Sequence, residues 1–133
     1  MSDTIFTKII NKEIPADIVY EDDSSLAFRD VNPQAPVHIL IIPKKPMRQL
    51  NDAEVSDQEL LGHLIFVAHK VAEKEGVADG YRLVLNNGVG AGQLVMHVHF
   101  HLMAGRSHRS GHLSEADRIY RLSSGQKTAA QND

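Results

Sequence analysis

The chain of 133 residues contains no cysteine. That absence excludes a disulfide framework and any thiolate metal site, and it fits a reducing compartment. No apolar run approaches the roughly 20 residues that a membrane-spanning helix needs. The first residues, Met1-Ser2-Asp3-Thr4, carry neither a basic segment nor a long apolar one, so no secretory signal is expected. There is no run of five basic residues, and the formal charge is only −3. A nucleic-acid partner is therefore not indicated. The expectation is a soluble, cytoplasmic protein with no membrane partner.

Apolar residues make up 42% of the chain, enough for one core at this length. Asp3 reads as the N-cap of a short helix through Asn11, whose apolar face is Ile5, Phe6, Ile9 and Ile10. Pro15 restricts Ile14 and ends that element. Asp17–Glu21 and Ser25–Asp30 read as two strands joined by the turn Asp22-Asp23-Ser24. Asn32-Pro33-Gln34-Ala35-Pro36 is a loop. Val37–Ile42 is an almost wholly apolar strand, hence central and buried on both faces, with His38 its one polar side chain. Ser56-Asp57-Gln58-Glu59 has capping-box spacing and opens a helix running through Glu75, with Gly76 past its end. Tyr81–Leu85, the glycine-rich turn Asn86–Gly92 and a strand from about Leu94 to Met103 read as an antiparallel hairpin. After Gly105 the chain turns polar. Ala116, Ile119, Tyr120 and Leu122 allow a turn or two of helix, and Ser123–Asp133 is expected to be disordered. Hairpins interspersed with helices predict an α+β domain with a mainly antiparallel sheet.

The most unusual stretch is Met96-His97-Val98-His99-Phe100-His101-Leu102-Met103. On a strand, alternate side chains share a face, so His97, His99 and His101 would line up on one side. Burying three imidazoles without partners would cost roughly 1–3 kcal/mol each, so the stripe points to a site. Two chemistries compete. One is a metal, since His-x-His can place two imidazoles on zinc. Against it, His97 and His101 would lie roughly 13 Å apart along a strand, and the stretch contains no carboxylate. The other is nucleophilic and electrostatic catalysis at phosphorus. Imidazole is largely neutral at pH 7, and one ring nitrogen can attack if the other is held as a donor, for instance by a backbone carbonyl.

Gly88-Val89-Gly90-Ala91-Gly92 superficially matches a dinucleotide fingerprint, but that motif must open a helix and here a strand is expected. The glycines can serve as a plain turn or expose backbone N–H groups to an anion.

The histidine stripe resembles the signature of the histidine-triad superfamily. The motifs Lys12–Ala16, Ala27–Asp30, Asn32–His38, Ile42–Lys45, Leu61–Leu64, Gly80–Arg82 and Gly92-Gln93 are similar to its histidine triad nucleotide-binding (Hint) branch. The likeness covers about residue 3 to residue 106. It implies a histidine-triad domain over 1–106 and a polar, partly disordered tail over 107–133. The implied fold is a five-stranded, mainly antiparallel sheet with one long and one short N-terminal helix.

The implied activity is hydrolysis of the P–N bond of adenosine or guanosine 5′-phosphoramidates, and of acyl-adenylates, through a nucleotidyl-histidine. By resemblance, His99 is the nucleophile, His101 serves the phosphate and leaving group, and His97 and His38 support them. Phe6, Ile9, Ile14, Phe28 and Val31 would line the base pocket with Arg29 at its edge. Asp30 would bind the ribose hydroxyls, and Asn86, Gly92, Gln93 and Leu94 would face ribose and phosphate. No metal or other cofactor is implied, and a homodimer is. Position 94 is Leu where related proteins often carry a hydroxyl residue. Other branches, which cleave dinucleoside polyphosphates or transfer nucleotidyl groups, are the alternative enzymes. A non-enzymatic purine-nucleotide-binding module is the alternative outside enzymes.

Overall fold

In the computed structural model, which describes residues 3–105, the first helix α1 spans Ile5–Ile10. Its cap is Thr4, not Asp3. Thr4 Oγ1 accepts from the backbone N–H groups of Phe6 and Thr7 at 3.1 and 3.3 Å, and Thr7 Oγ1 accepts from Thr4 N–H at 2.8 Å. This reciprocal pair satisfies the N-terminal donors that an uncapped helix leaves open. The helix ends well before Pro15, at Ile10, and Lys12 takes a left-handed conformation with φ 62°.

Five strands follow the helix: β1 Ile18–Glu21, β2 Ser25–Arg29, β3 Val37–Pro43, β4 Arg82–Leu85 and β5 Phe100–Ala104. They form one sheet in the order β1-β2-β3-β5-β4, with every neighbouring pair antiparallel. The α+β reading therefore holds. The long helix α2, Gln58–Lys74, lies between β3 and β4 in sequence. Its Leu64, Val67, Ala68, Val71 and Ala72 pack on Ala27, Ile39, Ile41 and Leu102 of one sheet face. Phe6 and Ile9 of α1 pack on Leu26, Phe28, Leu40 and Ile42 of the other. β3 is thus covered on both sides, which is why its sequence is apolar throughout.

Two sequence expectations are corrected at element ends. The reciprocal cap before α2 is formed by Glu54 and Asp57 around a 3₁₀ turn, Val55–Asp57, rather than by Ser56 and Glu59. The larger correction concerns β5, which begins at Phe100 and not near Leu94. The preceding backbone is committed elsewhere: Val98 N–H donates to Met47 O at 2.7 Å, and His97 N–H donates to Val95 O at 2.9 Å. β4 and β5 still pair, Leu85 opposite Phe100, but through residues 86–99 rather than a short turn. The amphipathic segment and disordered end expected beyond Gly105 lie outside the described residues.

Candidate active site

Strand alternation brings the site together. On the α1 face of the sheet, Phe28, Leu40, His101 and Val84 form one cross-strand row through β2, β3, β5 and β4. In the neighbouring row, His38 of β3 lies opposite Met103 of β5. His97 and His99 reach the same region from the connection just before β5. Phe6 meets both rings in T-shaped contacts, its centroid 6.1 Å from that of His97 and 5.0 Å from that of His99. The His99 and His101 rings are 5.0 Å apart. The three histidines therefore gather as the alternation implies, although only His101 belongs to a strand.

Hydrogen bonds fix which ring nitrogen carries each proton. A carbonyl oxygen can only accept, so His97 Nε2, 2.7 Å from Pro43 O, and His99 Nδ1, 2.7 Å from His97 O, are both protonated donors. In neutral His99 the lone pair then resides on Nε2. Gln34 N–H donates to His38 Nδ1 at 3.0 Å, which leaves the proton of neutral His38 on Nε2. That atom lies 2.9 Å from His101 Nδ1, which must accept, so His101 carries its proton on Nε2. The arrangement yields an unprotonated nitrogen on His99 beside a ring, His101, that offers an N–H.

Burial keeps these rings neutral. His97 and His99 are 1% and 6% exposed. Desolvation lowers the pKa of both, partly offset by the carbonyls of Pro43 and His97 respectively. His38 is lowered by burial against an opposing pull from Asp30. His101 is pushed down to about 4, by burial first and then by its neighbours His99 and His38.

A cavity of about 430 Å³ opens beside these rings. Its lining includes the expected Phe6, Ile9, Ile14, Phe28, Asp30, Val31, Asn86, Gly92, Leu94, His38, His99 and His101. Arg29 borders it too, but its guanidinium forks onto Glu75 at 2.9 and 3.0 Å and reaches Asp17 at 3.3 Å, tying β2 to the end of α2. Two expected residues lie behind the lining. His97 bonds to the β3 backbone, as described. Gln93 is buried, with Oε1 accepting from Gly88 N–H and Nε2 donating to the carbonyls of Arg48 and Val95. Its side chain builds the loop instead of facing the cavity.

Several lining residues were missed. Leu40 and Met103 follow His38 and His101 by two positions, so the same alternation could have found them. Val84 is the cross-strand neighbour of His101, which only the register reveals. Gln34 contributes through its backbone N–H, for which sequence carries no signal.

Asp30, His38 and His101 have potential ligand atoms within 4.8 Å of one another, so this trio could in principle hold a cation. The hydrogen bonds argue otherwise. His38 Nε2, the atom nearest both partners, carries the ring proton because Nδ1 accepts from Gln34. A metal there would have to turn that ring into an imidazolate. The donor set fits a proton-ordered relay better than a metal centre.

Residues 11–108 match the family model described as the HIT domain. The chain is 54% identical over 105 residues to a purine nucleoside phosphoramidase of Escherichia coli, covering 78% of this chain and 88% of that protein. It is 61% identical over 104 residues to an uncharacterized HIT-like protein of Synechocystis, covering 78% and 91% respectively. Among solved structures, a HIT family hydrolase from Legionella pneumophila superposes with a TM-score of 0.77 at 50% identity, over 79% of this chain and 95% of that one. A histidine triad protein from Clostridium difficile gives 0.76 at 44% identity, over 80% and 94%. With its antiparallel five-stranded sheet, long helix and clustered histidines, the chain belongs to the HIT domain family.

Proposed function

We propose that this protein is a purine nucleoside phosphoramidase, hydrolysing the P–N bond of adenosine or guanosine 5′-phosphoramidates, and acyl-adenylates, through a nucleotidyl-histidine on His99. The observation that carries the proposal is the bond from His99 Nδ1–H to His97 O, which frees Nε2 to attack. The activity named for the E. coli relative supports the same reading.

In this reading the purine occupies the apolar end of the cavity, between α1 and Phe28, and Asp30 takes the ribose hydroxyls. His99 Nε2 attacks phosphorus and the P–N bond breaks. His101 Nε2–H donates a hydrogen bond to a phosphate oxygen or to the departing nitrogen. Water then attacks the nucleotidyl-histidine and releases the monophosphate. The departing nitrogen takes up one proton and the water later gives one back, so each cycle consumes one water and restores the starting tautomers. No residue in this sequence of steps calls for a metal.

The reading extends to a cytoplasmic homodimer. Ile65 and Phe66 stand exposed on α2, and β4 is an edge strand of the sheet among the described residues, so exposed apolar side chains and a strand edge are offered to a second copy.

The test is an assay of purified protein on adenosine 5′-phosphoramidate with EDTA present. Turnover is expected, with adenosine monophosphate as product, and His99→Ala is expected to abolish it. Loss of activity on chelation with recovery on zinc addition, or full activity in His99→Ala, would overturn the mechanism. Binding of adenosine monophosphate without turnover would mark a binding module instead.

A further inference from the structure

The Gln93 amide, buried behind the cavity lining, meets three backbone groups from three segments. Its Oε1 accepts from Gly88 N–H at 2.7 Å. Its Nε2 donates to Arg48 O at 2.7 Å and to Val95 O at 3.0 Å, which uses both amide hydrogens. The reverse orientation would set oxygen against two carbonyls and N–H against N–H, so one orientation fits. The glycine turn braces this amide. Gly88 O accepts from Ala91 N–H and Gln93 N–H, and Val89 O accepts from Gly92 N–H. With Gly88, four N–H groups are spent on closing the turn rather than offered to an anion.

Two routes lead from Gln93 to the peptide between His97 and Val98. Along the first, Arg48 O is held by Gln93, and the carbonyl one residue earlier, Met47 O, accepts from Val98 N–H at 2.7 Å. Along the second, Val95 O accepts from both Gln93 Nε2 and His97 N–H. A peptide unit is planar, so fixing the Val98 N–H also aims the His97 carbonyl, the acceptor for His99 Nδ1. We propose that Gln93 is a positioning residue for the nucleophile, acting through Met47-Arg48 and Val95 on the carbonyl that orders the His99 ring. This rests on the phosphoramidase reading above and assigns Gln93 to the chemical step instead of to ligand contact.

The test compares wild type with Gln93→Glu, which sets a carboxylate against two carbonyls, and Gln93→Met, which keeps the length and removes the bonds. Asp22→Ala is the control for lost stability, since Asp22 lies outside the cavity lining. On adenosine 5′-phosphoramidate, kcat is expected to fall at least about tenfold in both Gln93 variants, with KM within about threefold and Asp22→Ala near wild type. Imidazole ¹⁵N NMR is expected to show His99 as the Nδ1–H tautomer in wild type and as a mixture in the Gln93 variants. A kcat within about twofold of wild type in either folded variant, or an equal loss in Asp22→Ala, would overturn the proposal. So would an unchanged kcat with raised KM, an unaltered His99 tautomer, or loss of the folded circular dichroism spectrum in both variants. Failure of the wild-type protein to turn over would instead overturn the phosphoramidase reading, and the tautomer comparison would still judge the tether.

Discussion

The Nδ1 atom of His99 lies 2.7 Å from the carbonyl oxygen of His97, two residues earlier in the same chain. His97 in turn is anchored by Nε2 to Pro43 O at the end of β3. The His99 ring is therefore oriented by a peptide group whose own residue is pinned to the central strand. Such an arrangement sets the tautomer without a carboxylate partner, and it leaves His99 uncharged and basic at Nε2.

In the proposed mechanism His38 acts through His101, so its loss should affect the chemical step more than binding. His38→Ala removes the N–H that holds His101 Nδ1 as an acceptor. The expected result is a fall in kcat of roughly 10²-fold with a smaller change in KM. Steady-state kinetics on adenosine 5′-phosphoramidate, with circular dichroism to verify folding, would check it. Equal loss in both parameters, or none, would contradict the relay.

The buried histidines make both activity and stability depend on pH with the same sign. Their folded pKa values lie below the ordinary 6.5, with His101 near 4. Between these values the unfolded chain binds more protons than the folded one, so stability rises with pH. The stability is fully present above about 6.5 and is lost progressively as pH falls toward 4. Thermal melts at pH 7.5 and 5.0 should show the lower Tm at pH 5.0. The acid limb of the kcat/KM profile should fall below 6.5 rather than above it.

Away from the cavity, Asp22 is the most heavily bonded carboxylate described. Its Oδ1 accepts from Ser25 N and Oγ at 2.8 and 2.7 Å and from Ser24 N at 2.9 Å. Its Oδ2 accepts from Tyr20 OH at 2.8 Å and His63 Nε2 at 2.7 Å, which links the β1–β2 turn to α2. Partial burial pushes its pKa up, but the bonds from Ser25, His63, Tyr20 and Ser24 outweigh that and hold it well below the usual carboxylate range. Asp22→Ala should cost about 2–3 kcal/mol, measured by urea denaturation at pH 7, with little change in KM. A loss under about 0.5 kcal/mol would show that the cluster is solvated rather than structural.

Much of this was legible in the sequence because alternation and burial are local properties. The stripe of histidines, the apolar run of β3 and the odd polar residue within it, His38, each announced themselves in a few residues. β5 was misread for the opposite reason. The pattern before Phe100 alternates like a strand, yet Val98 N–H is committed to Met47 O and the Gln93 side chain to Arg48 O, both in a loop some forty-five to fifty residues away in sequence. Arg29 and Gln93 are a further lesson. The family resemblance puts Arg29 at the edge of the base pocket, where it does border the cavity with its guanidinium held by Glu75, and has Gln93 face ribose and phosphate, whereas Gly88, Arg48 and Val95 capture that side chain. The backbone donor at Gln34 is invisible in any pattern of side chains, although it orders the protons of two histidines.

The most direct test of the central claim is to trap the covalent intermediate. Purified protein is mixed with an adenosine phosphoramidate, quenched in alkali within one turnover and analysed by peptide mass spectrometry. The account predicts one adenylyl group on His99, absent from His99→Ala and decaying with the release of adenosine monophosphate. An adduct on His97 or His101 instead, or turnover at the wild-type rate with no adduct at any histidine, would contradict it.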